Sequence, residues 1–286
     1  MSLWQRTQAR FRAPAPVPVL TTRHCLYIAR TIEAALPGGV EIMFEPPAGG
    51  FDARRHIVIC PQIFDQLPAN FIAFQMEQSV SPRWFEPPLL EKLQRAAKIV
   101  DYSSRNLTFL ASRGISPDRL HHLPVSYIPG FRADLKPANA RHAALFYGDT
   151  NNPRRQHFID ELNPNCGIAE FARTFGDDLY REMLAAKLVV NIHYYDGAML
   201  ETTRLMECLS LGCVVVSEES IDMDEYGSLR DMIDFVPLGD IEAMRRRILY
   251  WQENPAARAA KIAYAHQQLR GVQLTFKRAL ADIILS

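Results

Sequence analysis

One window of the sequence, residues 188–218, constrains the fold more than any other. It begins with the apolar stretch Leu188-Val-Val-Asn-Ile192, passes through a polar and aromatic loop, and continues into helical spacing over residues 201–211. Gly212 then ends the helix, and a second apolar stretch follows over residues 213–218. Two apolar runs of strand length around one helix predict a strand-helix-strand unit with parallel strands in a buried sheet.

The same alternation continues along the chain. Further runs of strand length occupy residues 40–44, 56–60, 71–75, 98–102, 143–147, 167–171 and 234–237. Segments with helical spacing occupy residues 24–36, 86–97, 103–113, 177–186, 241–253, 256–268 and 274–284. Strands that alternate with helices predict an α/β fold, in which helices cover both faces of parallel sheets.

The length and one proline-rich passage predict two domains. A chain of 286 residues is enough for two compact units, and prolines cluster around Pro129 before the strand-helix rhythm restarts. We expect Rossmann-like domains over residues 1–135 and 136–286 that face a cleft, with the last helix packing back on the first domain. The Pro/Ala-rich residues 13–19 are interpreted as an extended lead-in, and no first strand is evident before His24, so the N-terminal domain is expected to be shortened.

Composition excludes several classes of protein. The chain has 48% hydrophobic and 22% charged residues, which is typical of a globular protein. Its 32 basic and 32 acidic residues balance, so no global field favours nucleic acid. The five cysteines are scattered without a CxxC pair, which predicts neither a disulfide framework nor a metal site. No apolar stretch approaches the roughly 18 residues of a membrane span. Since a signal-peptide core is also absent, we expect a cytoplasmic protein.

The start of the helix in the opening window is a candidate anion site. Free backbone N–H groups near Thr202 and Thr203, together with the helix dipole, suit a phosphate group. Arg204 and Glu207 lie on the same polar side of the helix, so the Glu207 carboxylate could accept two hydrogen bonds from a ribose diol. On spacing alone, a surface ion pair between Arg204 and Glu207 is an equally good interpretation.

A family resemblance favours the nucleotide. The segment Glu207-Cys-Leu-Ser-Leu-Gly-Cys-Val-Val-Val-Ser217 resembles the Glu-Ala-Met-Ala-x-Gly-x-Pro-Val-Val-Ser segment of GT-B glycosyltransferases, in the large retaining class of group 1 and family 4. The resemblance runs from Ala143 to the C-terminus. It implies that Glu207 holds the ribose of a nucleotide-sugar donor. The family usually has a second glutamate eight positions earlier, but Met199 stands there and the nearer glutamate is Glu201. Assigning the sugar contact to Glu201 therefore requires a shifted loop.

The same resemblance extends to a diphosphate site after the strand at residues 143–147. Gly148 stands where the family has a glycine that allows a close approach, and Arg154 or Arg155 stands in place of the usual lysine of the basic pair that neutralises the diphosphate. Arginine suits this task because its planar guanidinium can bind phosphate oxygens in pairs. Without the resemblance, a solvated loop with a turn at Asn152 would be the better interpretation.

Other polar residues follow predicted strands. Asn191, His193 and Tyr194 end one strand and are candidate contacts of the donor, although a strand-end histidine is as often a satisfied core residue. In the N-terminal half, Glu77 is a candidate acceptor-side group or base, with Gln78 and Asp101 as further candidates. Polar loop residues that cap helices are the simpler interpretation of each of these three.

Taken together, the sequence predicts a hexosyltransferase-type glycosyltransferase that uses a UDP-, GDP- or dTDP-sugar, with no cofactor beyond this donor and no metal. Glu201, Arg154, Arg155 and Glu77 are the predicted catalytic residues. The expected acceptor is a glycan or a lipid-linked molecule, in bacterial surface polysaccharide or glycoconjugate synthesis, and peripheral membrane association stays open. The alternatives are an epimerase or hydrolase of nucleotide sugars with the same fold, and a relative that binds nucleotide sugar or a partner without turnover.

Overall fold

A computed structural model describes residues 15–81, 83–135 and 139–285. Their contacts group them into two compact units. The first contains the described residues up to Met76, then Glu86–Leu123, then Leu274 onward, and the second contains Glu77–Phe85 and the described part of Pro124–Gln273. The domain border expected between residues 135 and 136 stays a prediction.

The first unit is built on a six-stranded parallel sheet of order β2-β1-β3-β4-β5-β6. Its strands are β1 Val17–Leu20, β2 Val40–Met43, β3 His56–Ile59, β4 Phe71–Gln75, β5 Lys98–Asp101 and β6 Leu120–His122. Its helices are α1 Leu26–Ala35, α2 Pro87–Arg95 and α3 Ser104–Ser112. Strands β3 and β4 are buried along their whole length, as expected for strands covered by helices.

The second unit is built on a five-stranded parallel sheet of order β11-β10-β9-β7-β8. Its strands are β7 Ala144–Tyr147, β8 Ile168–Phe171, β9 Val189–Asn191, β10 Val215–Glu218 and β11 Asp234–Val236. Its helices are α4 Pro153–Cys166, α5 Gly176–Leu184, α6 Thr202–Leu211, α7 Ile241–Glu253 and α8 Pro255–Gln268. A further helix, α9 Val272–Leu285, begins in this unit, and its residues from Leu274 belong to the first. Two parallel sheets with interleaved helices confirm the predicted α/β fold.

The first strand corrects one expectation. Residues 17–19 were expected to be lead-in, yet Val17–Leu20 pairs with β2 on one side and β3 on the other. Val17 donates its N–H to the Gly39 carbonyl on the β2 side, so the amide position of Pro18 is turned to the β3 side. Pairing with β3 starts only at Val19, so the donor that proline lacks is not needed. Residues 15 and 16 of that stretch are in neither a strand nor a helix, and residues 13 and 14 lie outside the described residues.

Helix α4 is a second element that the sequence pattern did not indicate. A turn at Asn152 and Pro153 was the alternative interpretation of this segment, but Asn152 is the N-cap of α4 and its side chain accepts from the Arg155 N–H at 3.0 Å. Proline at the first helical position costs nothing because its N–H would have no partner there. Pro164 lies in the last turn of α4, and because proline usually interrupts a helix, the sequence around it does not read as helical.

Asp101 lies at the end of β5 in a fully buried polar network. Its carboxyl accepts hydrogen bonds from Gln75 Nε2 at 2.7 Å, the Ser103 N–H at 2.8 Å and Asn106 Nδ2 at 3.0 Å. The network joins β4, β5 and the start of α3. Burial raises the pKa of Asp101 to about 8, although the three donors oppose this effect.

This raised pKa predicts how the stability of the protein depends on pH. Asp101 keeps its proton in the folded chain and loses it in the unfolded chain, so this stabilisation is complete below about pH 4 and is lost as the pH rises through 8. We expect the free energy of unfolding, measured in urea, to fall by about 2 kcal/mol between about pH 6 and 8 on account of this group. Asp101→Asn should remove that dependence, and the exposed Asp65→Asn should keep it. Equal pH slopes in wild type and Asp101→Asn would contradict the assignment.

Candidate functional site

The residues of the second unit that are predicted to bind the nucleotide-sugar donor lie at one edge of its sheet. Strands β7, β9 and β10 are neighbours in the order β10-β9-β7, and they end at Tyr147, Asn191 and Glu218. Parallel strands present their carboxyl ends on the same edge, where ligands of open α/β sheets bind. Helices α4 and α6 start from the loops that follow β7 and β9, so their first turns lie at this edge as well.

Two arginines converge here on one carboxylate. Arg155 donates from Nη2 to Glu201 Oε1 at 3.1 Å, and Arg204 Nε lies 3.7 Å from Glu201 Oε2. Backbone carbonyls hold the two guanidinium groups in place. Arg155 donates to the carbonyls of Ile192 at 3.0 Å and Asp149 at 3.2 Å, and Arg204 donates to that of Tyr147 at 2.7 Å. The side chain of Arg155 is 4% exposed and that of Arg204 is 15% exposed. We call Arg155, Glu201 and Arg204 the arginine pair and its carboxylate.

Gly148 is required by this arrangement. Its φ is +128°, a conformation that L side chains rarely adopt. A Cβ at this position would lie 2.9 Å from Arg204 Nη2 and 3.4 Å from Arg155 Nη1. The glycine therefore allows both guanidinium groups to come close to the backbone at the end of β7.

Burial makes this site electrostatically demanding. It lowers the pKa of Arg155 to about 10, while the charge of Glu201 opposes the effect. The guanidinium still carries its charge at neutral pH. Burial by itself raises the pKa of Glu201, but the charges of Arg204 and Arg155 outweigh it, so the pKa lies below its usual value. Because charges attract strongly in a poorly solvated place, two cations that share one carboxylate favour a further anion.

Glu207 lies one turn further along α6. Its Oε2 accepts a hydrogen bond from the Tyr147 hydroxyl at 2.8 Å, and the residue is 8% exposed. Arg204 turns to Glu201 and to the Tyr147 carbonyl. The surface ion pair that spacing allowed between Arg204 and Glu207 is therefore replaced by a buried arrangement around Tyr147. Burial raises the pKa of Tyr147 well above its usual value, so its hydroxyl is a donor at neutral pH.

Several polar atoms at this edge are buried and have no hydrogen-bond partner among the residues that the structure describes. They are the Oγ1 atoms of Thr202 and Thr203, Oδ1 of Asn191 and Nδ1 of His193. Buried polar atoms are normally paired, and those that are not commonly mark a place for water or a ligand. The first turn of α6 also has backbone N–H groups without an intrahelical acceptor.

Arg154, next to Arg155, has a different environment. It donates from Nη1 and Nη2 to both carboxylate oxygens of Glu218, at 2.8 Å and 2.6 Å, and from Nη1 to the His193 carbonyl at 3.0 Å. Glu218 is fully buried and also accepts from the N–H groups of His193 and Gly239, both at 2.9 Å. Arg154 thus joins the start of α4 to the ends of β9 and β10.

Comparisons with known families agree with this geometry. A family model described as glycosyl transferase-like matches residues 135–284, which is more than half of the chain. The chain belongs to this glycosyltransferase-like family. The match covers the sheet with the arginine pair and its carboxylate. No curated protein matches the chain.

Solved glycosyltransferases share the fold. WaaG, a glycosyltransferase involved in lipopolysaccharide biosynthesis, is 12% identical with a TM-score of 0.60, over 94% of this chain and 99% of that chain. Anabaena HepE, in complex with UDP and glucose, is 13% identical with a TM-score of 0.58, over 94% and 98%. Both are GT-B proteins, as the sequence predicted. A mutant of S. aureus TarM, in complex with UDP, fondaparinux and α-GlcNAc-glycerol, is 11% identical with a TM-score of 0.55 over 81% of this chain, and the chain spans only 55% of its length.

The family resemblance left one departure, in the loop before α6, and the structure describes that loop. Met199, at the position of the usual glutamate, is fully buried, so its side chain is not presented to a ligand. Its backbone exchanges two hydrogen bonds with the side chain of Gln78, at 2.8 Å and 2.9 Å. The Leu200 N–H donates to Asp222 at 2.9 Å, and the Tyr195 hydroxyl lies 2.8 Å from Ser81 Oγ. These contacts hold the loop so that Glu201, 20% exposed at its side chain, is the glutamate that reaches the arginines.

The remaining predicted residues have varied positions. The Tyr194 ring lies 5.1 Å from the Arg155 guanidinium carbon. Asn191 donates to Ser217 Oγ at 3.0 Å and is fully buried, as is His193, whose Nε2 lies 3.2 Å from the Glu219 carbonyl oxygen. Glu77 is half-buried at the start of the segment Glu77–Phe85, and its predicted role as a base stays a prediction. No helix among the described residues is long and apolar enough to cross a membrane.

Sequence reasoning missed three residues that build the site: Tyr147, Gln78 in its anchoring role, and Glu218. Tyr147 and Glu218 each end a predicted strand, so a search for polar residues at strand ends could have found them. Gln78 is separated from Met199 by 121 positions, and no local pattern connects them.

The bond between Arg154 and Glu218 gives a prediction about stability. Arg154→Met leaves the buried Glu218 carboxylate without its ionic partner, and we expect a loss of about 3 kcal/mol in the free energy of unfolding. Arg181→Met is the matched control because Arg181 pairs with Asp178 on the surface, at 53% exposure, and its loss should cost less than about 0.5 kcal/mol. Denaturant unfolding of both variants measures the difference. A loss in Arg154→Met no larger than in the control would contradict this structural role.

Proposed function

We propose that the protein transfers a sugar from a nucleoside-diphosphate sugar to an acceptor. The observation that carries the proposal is the arginine pair and its carboxylate, two buried guanidinium groups beside Gly148 that share Glu201. Membership of a glycosyltransferase-like family supports it. A diphosphate is the part of such a donor that needs two fixed cations in a poorly solvated place.

In the proposed donor complex, Arg155 and Arg204 bind the diphosphate oxygens together with the first turn of α6. Glu207 accepts hydrogen bonds from the ribose hydroxyls one turn along the helix, with Tyr147 fixing its carboxylate. Thr202 and Thr203 supply hydroxyl groups whose Oγ1 atoms have no partner among the described residues. The predicted diphosphate role of Arg154 stays a prediction, and its bonds to Glu218 favour a supporting role instead.

The chemistry of transfer fits these residues. As the bond between the sugar and the diphosphate breaks, negative charge grows on the leaving diphosphate. Fixed guanidinium groups stabilise this charge without reorganising, which is the main way in which such a site lowers the barrier. The positive charge of the arginines can stabilise the leaving diphosphate in place of a divalent metal. The proposal includes metal-independent transfer with retention of configuration, and NMR of the product anomer would test the retention.

Glu201 has a particular place in the proposal. Its carboxylate lies between the two arginines, in the position that suits an anion. A diphosphate that binds there repels this carboxylate, because like charges at this distance repel strongly in a poorly solvated site. We infer that Glu201 turns towards the sugar when the donor binds, which gives it the sugar contact that the departure at Met199 left open.

The proposed acceptor is inferred from the structural similarity to WaaG and TarM. WaaG is involved in lipopolysaccharide biosynthesis, and the TarM complex contains fondaparinux and α-GlcNAc-glycerol. We propose a glycan or lipid-linked acceptor in surface polysaccharide or glycoconjugate synthesis. Incubation with UDP-, GDP- and dTDP-sugars tests the reaction, because an acceptor-dependent product supports transfer. Release of free sugar in the absence of acceptor would instead indicate a hydrolase, and binding without turnover a sensor.

Replacement of Glu207 tests the ribose contact. Glu207→Ala removes charge-assisted hydrogen bonds and should weaken binding of the preferred nucleoside diphosphate by about 1–3 kcal/mol in isothermal titration calorimetry. The 2′-deoxy analogue adds specificity to the test, since wild type should prefer the ribose form and Glu207→Ala should not distinguish the two. Glu242→Ala, on the exposed start of α7, is the control. A folded Glu207→Ala variant that still prefers the ribose form would rule out the contact.

Replacement of Glu201 tests the inferred displacement. Glu201→Gln removes the carboxylate that competes with the diphosphate, so we expect the affinity for the nucleoside diphosphate to rise about tenfold, or 1.4 kcal/mol. Turnover should fall in the same variant because the sugar loses its contact. Calorimetry measures the first effect and product formation the second, with Glu242→Gln as the control. Weaker nucleotide binding in Glu201→Gln would show that the carboxylate does not compete with the ligand.

A further inference from the structure

Two cysteines from distant parts of the chain meet in the first unit. Cys25 follows β1 and stands at the start of α1, and Cys60 directly follows β3. Strands β1 and β3 are parallel neighbours, with Leu20 paired to Val58, so both cysteines lie at the same edge of the sheet. Their sulfur atoms are 3.4 Å apart, and both residues are buried.

His24 adds a third donor of a different kind. One ring nitrogen of His24 and the two sulfur atoms all lie within 4.8 Å of one another. The His24 side chain is exposed, so the group opens to solvent on this side. Thr22 brings a hydroxyl to the same place, with Oγ1 3.3 Å from His24 Nε2. Two sulfurs, one imidazole and an open side form a set of ligands that thiophilic cations use in proteins.

The spacing of the sulfur atoms favours a metal over a disulfide. Two thiolates at about 2.3 Å from a tetrahedral Zn²⁺ lie about 3.8 Å apart. The observed 3.4 Å is within a few tenths of an ångström of that separation. A disulfide needs about 2.05 Å, so the sulfurs would have to approach by more than 1 Å.

The backbone of Cys60 holds its side chain in this group. Cys60 is in the left-handed region, with φ 55° and ψ 63°, where a residue other than glycine is uncommon. Its N–H donates to the Phe74 carbonyl at 3.1 Å and its carbonyl accepts from the Ile63 N–H at 3.1 Å. The conformation is therefore fixed by its neighbours, and the sulfur is held towards Cys25 without help from a ligand.

We propose that Cys25, Cys60 and His24 bind a thiophilic divalent cation of the Zn²⁺ type, with water or the Thr22 hydroxyl as the fourth ligand. Binding replaces the S–H bonds of the two cysteines by metal–sulfur bonds and releases two protons to solvent. The site's residues belong to the first unit, whereas those of the proposed donor site belong to the second. It ties the residues that follow β1 to those that follow β3.

Cobalt is the probe that reports both the ligands and the geometry. The reduced full-length chain is titrated with Co²⁺, which gives thiolate charge-transfer absorption and the visible bands of a tetrahedral site. We expect one Co²⁺ per chain, displaced by one equivalent of Zn²⁺. Cys25→Ser should halve the charge-transfer intensity, because one of two cobalt–sulfur bonds is lost. Cys166→Ser, a buried cysteine of the second unit, is the matched control and should leave the spectrum unchanged.

A second variant keeps the test valid if a buried serine disturbs folding. His24→Gln changes an exposed side chain and keeps both sulfurs, so it should retain the charge-transfer band while the affinity for Zn²⁺, measured by chelator competition, falls at least tenfold. The proposal is overturned if the reduced chain gives no tetrahedral cobalt spectrum. It is also overturned if the spectrum and the affinity are the same in wild type, Cys25→Ser and His24→Gln.

Discussion

The interaction on which the second unit depends is the attraction between two buried guanidinium groups and the single carboxylate of Glu201. Arg155 and Arg204 are removed from water by the sheet and by the loops around it, and such a burial is tolerated only with compensation. Backbone carbonyls at the ends of β7 and β9 provide part of it, and Glu201 provides the rest. Gly148 makes the arrangement possible because no side chain stands between these groups. With two cations and one carboxylate, the site can accept a further anion.

The surrounding elements hold that site in place. Glu218, buried at the end of β10, receives Arg154 and two backbone N–H groups and thereby fixes the start of α4. The loop before α6 is held by Gln78 and Asp222 at its backbone. These charged and polar groups thus hold in place the residues that are proposed to bind the donor. This division explains why two adjacent arginines, Arg154 and Arg155, have different environments.

Local pattern was enough to predict most of the fold. The apolar runs and the helical spacing predicted the α/β class and most strands, because strands covered on both faces are apolar throughout. The strand Val17–Leu20 was missed because prolines surround it. Within the strand only Pro18 lacks an N–H group, and the sheet needs no donor at that position. Helix α4 was missed because its signals, Asn152 and Pro153, also occur in turns. These failures concern residues whose role depends on which neighbour lies beside them.

The sequence predicted which residues belong to the site better than it predicted the contacts between them. Arg204 and Glu207 share one helix and Glu201 is its N-cap residue, so their proximity follows from helical geometry. The sequence could not show that Arg204 turns to Glu201 and away from Glu207, since this depends on the carbonyl of Tyr147 in another element. The meeting of Cys25 and Cys60 was likewise invisible, because 35 positions and a strand pairing separate them. Long-range pairing decides such contacts, and sequence spacing does not report it.

The most direct test of the account is a crystal structure of the chain with the nucleoside diphosphate that it binds most tightly. The account predicts the diphosphate on Arg155 and Arg204 beside Gly148, the ribose on Glu207, and the Glu201 carboxylate moved out from between the arginines. A nucleotide bound elsewhere, with Glu201 still between Arg155 and Arg204, would contradict it.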